Sequence, residues 1–95
     1  MTLSKTSLGM RIFKSINFNK TSSLGAVGRH AFPSGYGVSV VRVRKQYPYT
    51  HSYEIMLTYN NELLHDPDTP LTQGESVRFD ELDEVVDFIE QAAEL

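Results

Sequence analysis

Hydrophobic positions in this chain recur every second residue up to the middle and every three or four residues at the end. Tyr53, Ile55, Leu57 and Tyr59 alternate with Glu54, Met56 and Thr58, which predicts a half-buried strand over 53–59. Upstream, the run Gly37-Val-Ser-Val-Val-Arg-Val-Arg44 is dense in β-branched residues and follows the turn residues Pro33-Ser34-Gly35. On that strand Val38, Val40, Arg42 and Arg44 share one face, and Ser39, Val41 and Val43 share the other. The first face passes from apolar to charged, as in a strand leaving a core. Asn60-Asn61 supplies a tight turn, because Asn tolerates the positive φ that two-residue hairpins demand. Glu62-Leu63-Leu64-His65 is then the return strand, and the three strands form an antiparallel meander. The intervening segment from Lys45 to Ser52 contains Pro48 and reads as a loop.

Two prolines in Asp66-Pro-Asp-Thr-Pro70 end the sheet, and Ser76 to Phe79 adds a short extended piece. A helix follows. Asp80 is the expected N-cap, with Glu81, Asp83 and Glu84 at the positive end of the helix dipole. Leu82, Val85, Val86, Ile89 and Ala93 form one apolar stripe, while Asp83, Asp87, Glu90 and Glu94 lie away from its centre. The expected fold is therefore α+β: an antiparallel sheet of three to four strands packed on one face by an amphipathic, acidic C-terminal helix. Phe32, Val38, Val40, Ile55, Leu57, Leu82, Val85, Val86 and Ile89 are the expected core.

The N-terminal pattern is less decided. Met10, Ile12, Ile16 and Phe18 alternate as in a strand broken by Lys14, whereas Leu8, Ile12, Phe13 and Ile16 fit a helical face. The β-branched and aromatic content tips the reading to a strand. The Ser- and Gly-rich stretch from Thr21 to Gly28 reads as a loop. Residues 1–30 are thus expected to form a basic, acid-free segment, partly extended or flexible, ahead of a single α+β domain over 31–95. Its Ser/Thr-rich, acid-free composition overlaps that of transit peptides, but Arg is scarce and the helical face poor, which favours a basic arm.

Ninety-five residues make one domain. Five Phe and five Tyr supply large buried areas to its core. The chain has no Cys, which excludes disulfides, thiol nucleophiles and Cys-based zinc sites, and fits the cytoplasm. No apolar run approaches the roughly 20 residues of a membrane span, so no membrane partner is expected.

Charge is sharply partitioned. Residues 1–53 carry eight basic side chains and no acid, about +8; residues 54–95 carry twelve acids and only Arg78, about −11. The net charge of −3 therefore conceals two opposed blocks able to steer a charged partner.

Motifs for chemistry are few. His30, His51 and His65 are too widely spaced for a local metal signature, although His51 and His65 could meet across a sheet near Asp66 or Asp68. Asp66, Asp68 and Glu75 lack the glycine and register of a calcium loop. Neither Gly25-Ala-Val-Gly28 nor Gly35-Tyr-Gly37 has the context of a nucleotide-binding loop, and no nucleophile motif occurs. No catalytic residue, metal or cofactor is assigned, and the chain is read as a non-enzymatic module. Two surfaces are candidates for contacting a partner. Arg42 and Arg44 lie beside Tyr47, Pro48 and Tyr49, a combination that binds phosphate, stacks bases or anchors protein interfaces. Asp83, Asp87 and Glu90 on the final helix could enter a basic groove of another protein, or simply face water.

The phrase Gly35-Tyr-Gly-Val-Ser-Val-Val-Arg42, the strand Tyr53 to Leu57, the segment Asp68-Thr-Pro-Leu-Thr72 and the acidic helix from Asp80 resemble a group of small uncharacterised phage-encoded proteins. The resemblance covers about residues 32–95 and departs at Gln46 to His51, where the group carries a glycine-rich loop. It implies an accessory protein modulating a host or viral protein in the host cytoplasm. The expected partner is another protein, with a homodimer also expected. The alternative is a nucleic-acid binder using the basic N-terminal half.

Overall fold

The computed structural model describes residues 7–46 and 49–95. In chain order it contains helix α1 (Leu8–Ser15), strands β1 (Asn19–Lys20), β2 (Gly25–Ala31), β3 (Tyr36–Gln46), β4 (Tyr49–Tyr59), β5 (Glu62–Leu63) and β6 (Val77–Phe79), and helix α2 (Leu82–Ala93). The strands form one six-stranded antiparallel sheet in the order β1-β2-β3-β4-β5. β6 also pairs with β4, through Tyr53↔Phe79 and Ile55↔Val77, beside the point where β5 pairs with Thr58 and Tyr59. The fold is α+β, with the C-terminal helix against an antiparallel sheet.

Register decides which side chains meet. Gly28↔Val40↔Ile55 and His30↔Val38↔Leu57 run across β2, β3 and β4 on the face that carries the helices. Val38, Val40, Ile55, Leu57, Val85 and Ile89 are fully buried there, each contributing roughly 1.5–3 kcal/mol. Phe88, Ala92, Tyr53, Phe32 and Ile16 complete the cluster. Among the described residues no helix covers the opposite face, a common arrangement for an antiparallel sheet. Val27, Val41 and Met56 are half-buried on it and Val43 is exposed, while Ser39, Ser52 and Thr58 are shielded by their neighbours.

Several predicted features differ. The segment read as a strand over 10–18 is largely helix α1. Ser7 caps it, its hydroxyl accepting from Met10 N at 3.1 Å, and the helical period lets Arg11 and Lys14 reach water while Ile12 and Phe13 face the core. The expected loop over 21–28 ends at Gly25, where β2 begins. Gly28 suits this place because a Cβ there would collide with the Ile16 side chain above it. The expected loop over 45–52 is instead mostly the two arms of a long hairpin, paired Val43↔Ser52, Arg44↔His51 and Lys45↔Thr50, so its polar residues extend the ladder beyond the core. Tyr47 and Pro48 lie outside the described residues. Of the expected basic segment 1–30, the part from Leu8 onward supplies α1, β1 and nearly all of β2.

The turn at Asn60-Asn61 has φ of 50° and 68°, the left-handed pair of a type I′ hairpin. In α2 the N-cap is Glu81, not Asp80, and it makes no side-chain cap bond. Asp80 instead lies 3.6 Å from Lys45 Nζ and 3.7 Å from Arg78 Nε. Leu82 is only half-buried, whereas Phe88, absent from the predicted stripe, is buried. The helix in fact has two apolar neighbours. Val85, Phe88, Ile89 and Ala92 belong to the core cluster, and Val86 meets α1 at Gly9. Among the described residues no helix is long and apolar enough to cross a membrane.

Candidate functional site

Beyond the helix layer, the same sheet face changes from apolar to basic within two rungs. The rung Lys20↔Ala26↔Arg42↔Tyr53 is followed by Arg44↔His51, and cross-strand partners project on one side. Leu24 closes the corner, its carbonyl accepting from Arg44 N at 2.7 Å. The result is a cleft of about 200 Å³ bordered by Lys20, Ser23, Leu24, Gly25, Ala26, Arg42, Arg44 and His51. None of these residues is acidic. The loop that forms one wall is held by its own bonds: Ser22 Oγ accepts from Gly25 N at 3.0 Å, and Gly25 O accepts from Thr21 N at 2.9 Å.

Arg42 is the best-positioned cation. Its guanidinium carbon lies 4.3 Å from the centroid of Phe18, a cation–π contact. Phe18 packs on Phe13 with ring centroids 5.7 Å apart, and Phe13 meets Tyr53 edge-on at 5.9 Å. This aromatic chain ties Arg42 to the core. Burial pushes the Tyr53 phenol above its usual range, with the Arg42 charge pulling the other way. Among the described residues no carboxylate answers Arg42; the ion pairs join Lys45 and Arg78 to Asp80.

Of the residues expected to contact a partner, Arg42 and Arg44 therefore come together in one cleft. Tyr47 lies outside the described residues, and Tyr49 opens β4 opposite Gln46. Asp83 and Asp87 are exposed on α2, apart from the cleft lining, whereas Glu90 faces α1, its Oε2 accepting from Gly9 N at 3.1 Å. Asp87 instead borders a second groove of about 280 Å³ with Glu84, Leu71, Val77, Phe79, Phe88 and Gln91. Lys20, Ser23, Phe18 and His51 were missed as site residues. No local motif marks them, because only the pairing of β1, β2, β3 and β4 brings them beside Arg42. Among the described residues no group of three His, Asp or Glu side chains could hold a metal ion.

Comparison with protein-family models, with curated proteins and with solved structures gives no match for this chain.

Proposed function

We propose that this protein is a non-enzymatic binding module that captures an anionic segment of another protein in the Lys20–Arg42–Arg44–His51 cleft. The observation that supports this reading is a cleft with no acidic residue in its lining, where Arg42 is held against Phe18 and no carboxylate among the described residues answers it. Its volume of about 200 Å³ lies below the roughly 300–1,000 Å³ of pockets that enclose a whole small molecule. A group carried on a larger partner suits it better. The resemblance to phage proteins sets such a module in an accessory role, modulating a host or viral protein.

The remaining cations weigh against an extended nucleic-acid track. Arg11 and Lys14 are exposed on α1, while Arg29, whose Nη1 donates to Asn61 O at 2.8 Å, and Lys45 alternate onto the opposite sheet face. Nucleic acid is the second reading, favoured by the pairing of Arg42 with an aromatic ring, since such pairs also stack bases.

Affinity capture from lysate with the wild type, Arg42→Glu/Arg44→Glu and Asp83→Lys/Asp87→Lys variants tests the choice of surface. The first variant loses the partner and the second keeps it. An Arg42→Glu/Arg44→Glu protein that retains every partner rules the cleft out. The homodimer belongs to the same proposal and rests on the opposed charge blocks. Light scattering at low and high salt checks it, and a monomer mass in both at high micromolar concentration refutes it.

A further inference from the structure

We propose that the groove between β6 and α2 is a second docking surface, separate from the cleft, and that it takes an extended basic segment of another protein as an added strand. The backbone is the first argument. On the β5 side of β4, Leu57 O accepts from Leu64 N. Backbone groups alternate in direction along a strand, and β4 pairs with β3 without interruption, so Tyr53 and Ile55 also turn theirs to that side, where β6 lies. Their partners Phe79 and Val77 are therefore the residues bonded to β4, and the N–H and C=O of Arg78 point away from it. Among the described residues no backbone bond engages those two groups, and β6 pairs with β4 alone. Unpaired edge groups of this kind accept an incoming strand.

Side chains are the second argument. The groove beside that edge has an apolar lining of Leu71, Val77, Phe79 and Phe88, with the two rings 6.0 Å apart. Glu84, Asp87 and Gln91 recur at helical spacing and border it along one side of α2. Among the described residues no basic side chain pairs with Glu84 or Asp87; the ion pairs use Asp80. Residues of an added strand alternate in direction, so an apolar residue and a Lys or Arg two positions away both face α2. The apolar one enters the groove and the basic one answers the two carboxylates. Charge decides against the other occupants. Nucleic acid is repelled by Glu84 and Asp87, and a second copy pairing through the same edge would set Arg78 opposite Arg78.

Amide-resolved NMR titration of the full chain with three capped peptides tests this. The first carries Lys-Thr-Leu-Thr-Lys, which sets Lys two positions from Leu in either chain direction. The second has Glu in place of both Lys. The third has both Thr N-methylated, which removes the main-chain donors that face Arg78 and keeps the side chains. The Lys peptide is expected to shift the amides of Val77 to Phe79 and Glu84 to Gln91, and to bind about tenfold more tightly than the Glu peptide. N-methylation abolishes the shifts. Glu84→Gln/Asp87→Asn weakens the Lys peptide about fivefold, while the rest of the amide spectrum keeps its folded dispersion. Arg42→Glu/Arg44→Glu leaves the affinity within about twofold, because cleft and groove share no lining residue.

Equal binding of the Lys and Glu peptides would overturn the proposal, because the carboxylates would then select nothing. Unchanged binding of the N-methylated peptide would overturn strand addition. If millimolar Lys peptide moves no amide of β6 or α2, the groove is not a docking surface. Shifts of the same amides on concentrating the chain without peptide would assign the groove to a second copy instead.

Discussion

The two helices pack closely at Gly9, and replacing it with Ala tests how they are held together. A Cβ at Gly9 would sit 2.5 Å from Val86 O, 2.6 Å from Glu90 Cγ and 2.9 Å from Val86 Cγ1. The Glu90 side chain can swing away, but the Val86 carbonyl is backbone of α2 and moves only if the helices part. Parting them also stretches the charged hydrogen bond from Gly9 N to Glu90 Oε2, now 3.1 Å. Inserting a methyl group into such a contact costs about 1–3 kcal/mol. Against it, Ala in a helix is favoured over Gly by about 1 kcal/mol. The net expectation is a loss of up to about 2 kcal/mol, or a melting temperature several degrees lower for a domain of this size. Urea and thermal denaturation followed by circular dichroism measure it. Hydrogen exchange then shows whether the loss is concentrated in α1, as undocking requires. A Gly9→Ala protein more stable than wild type by about 1 kcal/mol would mean that the helices make room at no cost and that their contact does not require glycine.

Val86→Asp places a carboxylate at the buried contact between α1 and α2, next to Glu90, and should cost about 3–5 kcal/mol. A variant with the wild-type denaturant midpoint would show that α2 is wrongly registered. Asn61 has φ of 68°, so Asn61→Gly relieves a left-handed residue and should stabilise the hairpin by up to about 1 kcal/mol, while the bond from Arg29 to the Asn61 carbonyl persists. A lower urea midpoint in that variant contradicts the type I′ assignment. Because burial raises the Tyr53 phenol, the folded chain holds that proton more tightly than the unfolded one. Its contribution is complete below the unfolded value near 10 and is lost as pH rises through the folded value. Tyr53→Phe should therefore lose less stability than wild type between neutral and strongly alkaline pH, and an identical alkaline slope removes the effect.

Period and turn chemistry alone determined the strand over 53–59, the hairpin turn after it and the existence of the final helix. The alternation from Tyr53 to Tyr59, the Asn60-Asn61 turn and the stripe of α2 each lie within one short segment, and each has a local physical cause in strand pleat, positive φ or helical repeat. The same pattern showed one strand face turning from Val38 and Val40 to Arg42 and Arg44. The tertiary structure decided the rest. Helix and strand readings of residues 10–18 differ little in local energy, and the balance is set by Ser7 as a cap and by burial of Ile12, Phe13 and Ile16 against a sheet formed by distant residues. Phe88 escaped the predicted stripe because the sheet side of α2 runs along Val85, Phe88, Ile89 and Ala92, where Phe88 meets Phe79 of β6, while Val86 faces α1. The cleft was legible only as its two arginines. Lys20, Ser23 and His51 reach it through the register of four strands, and register is fixed by which residues must share the buried face, a condition that exists only once the whole sheet has formed.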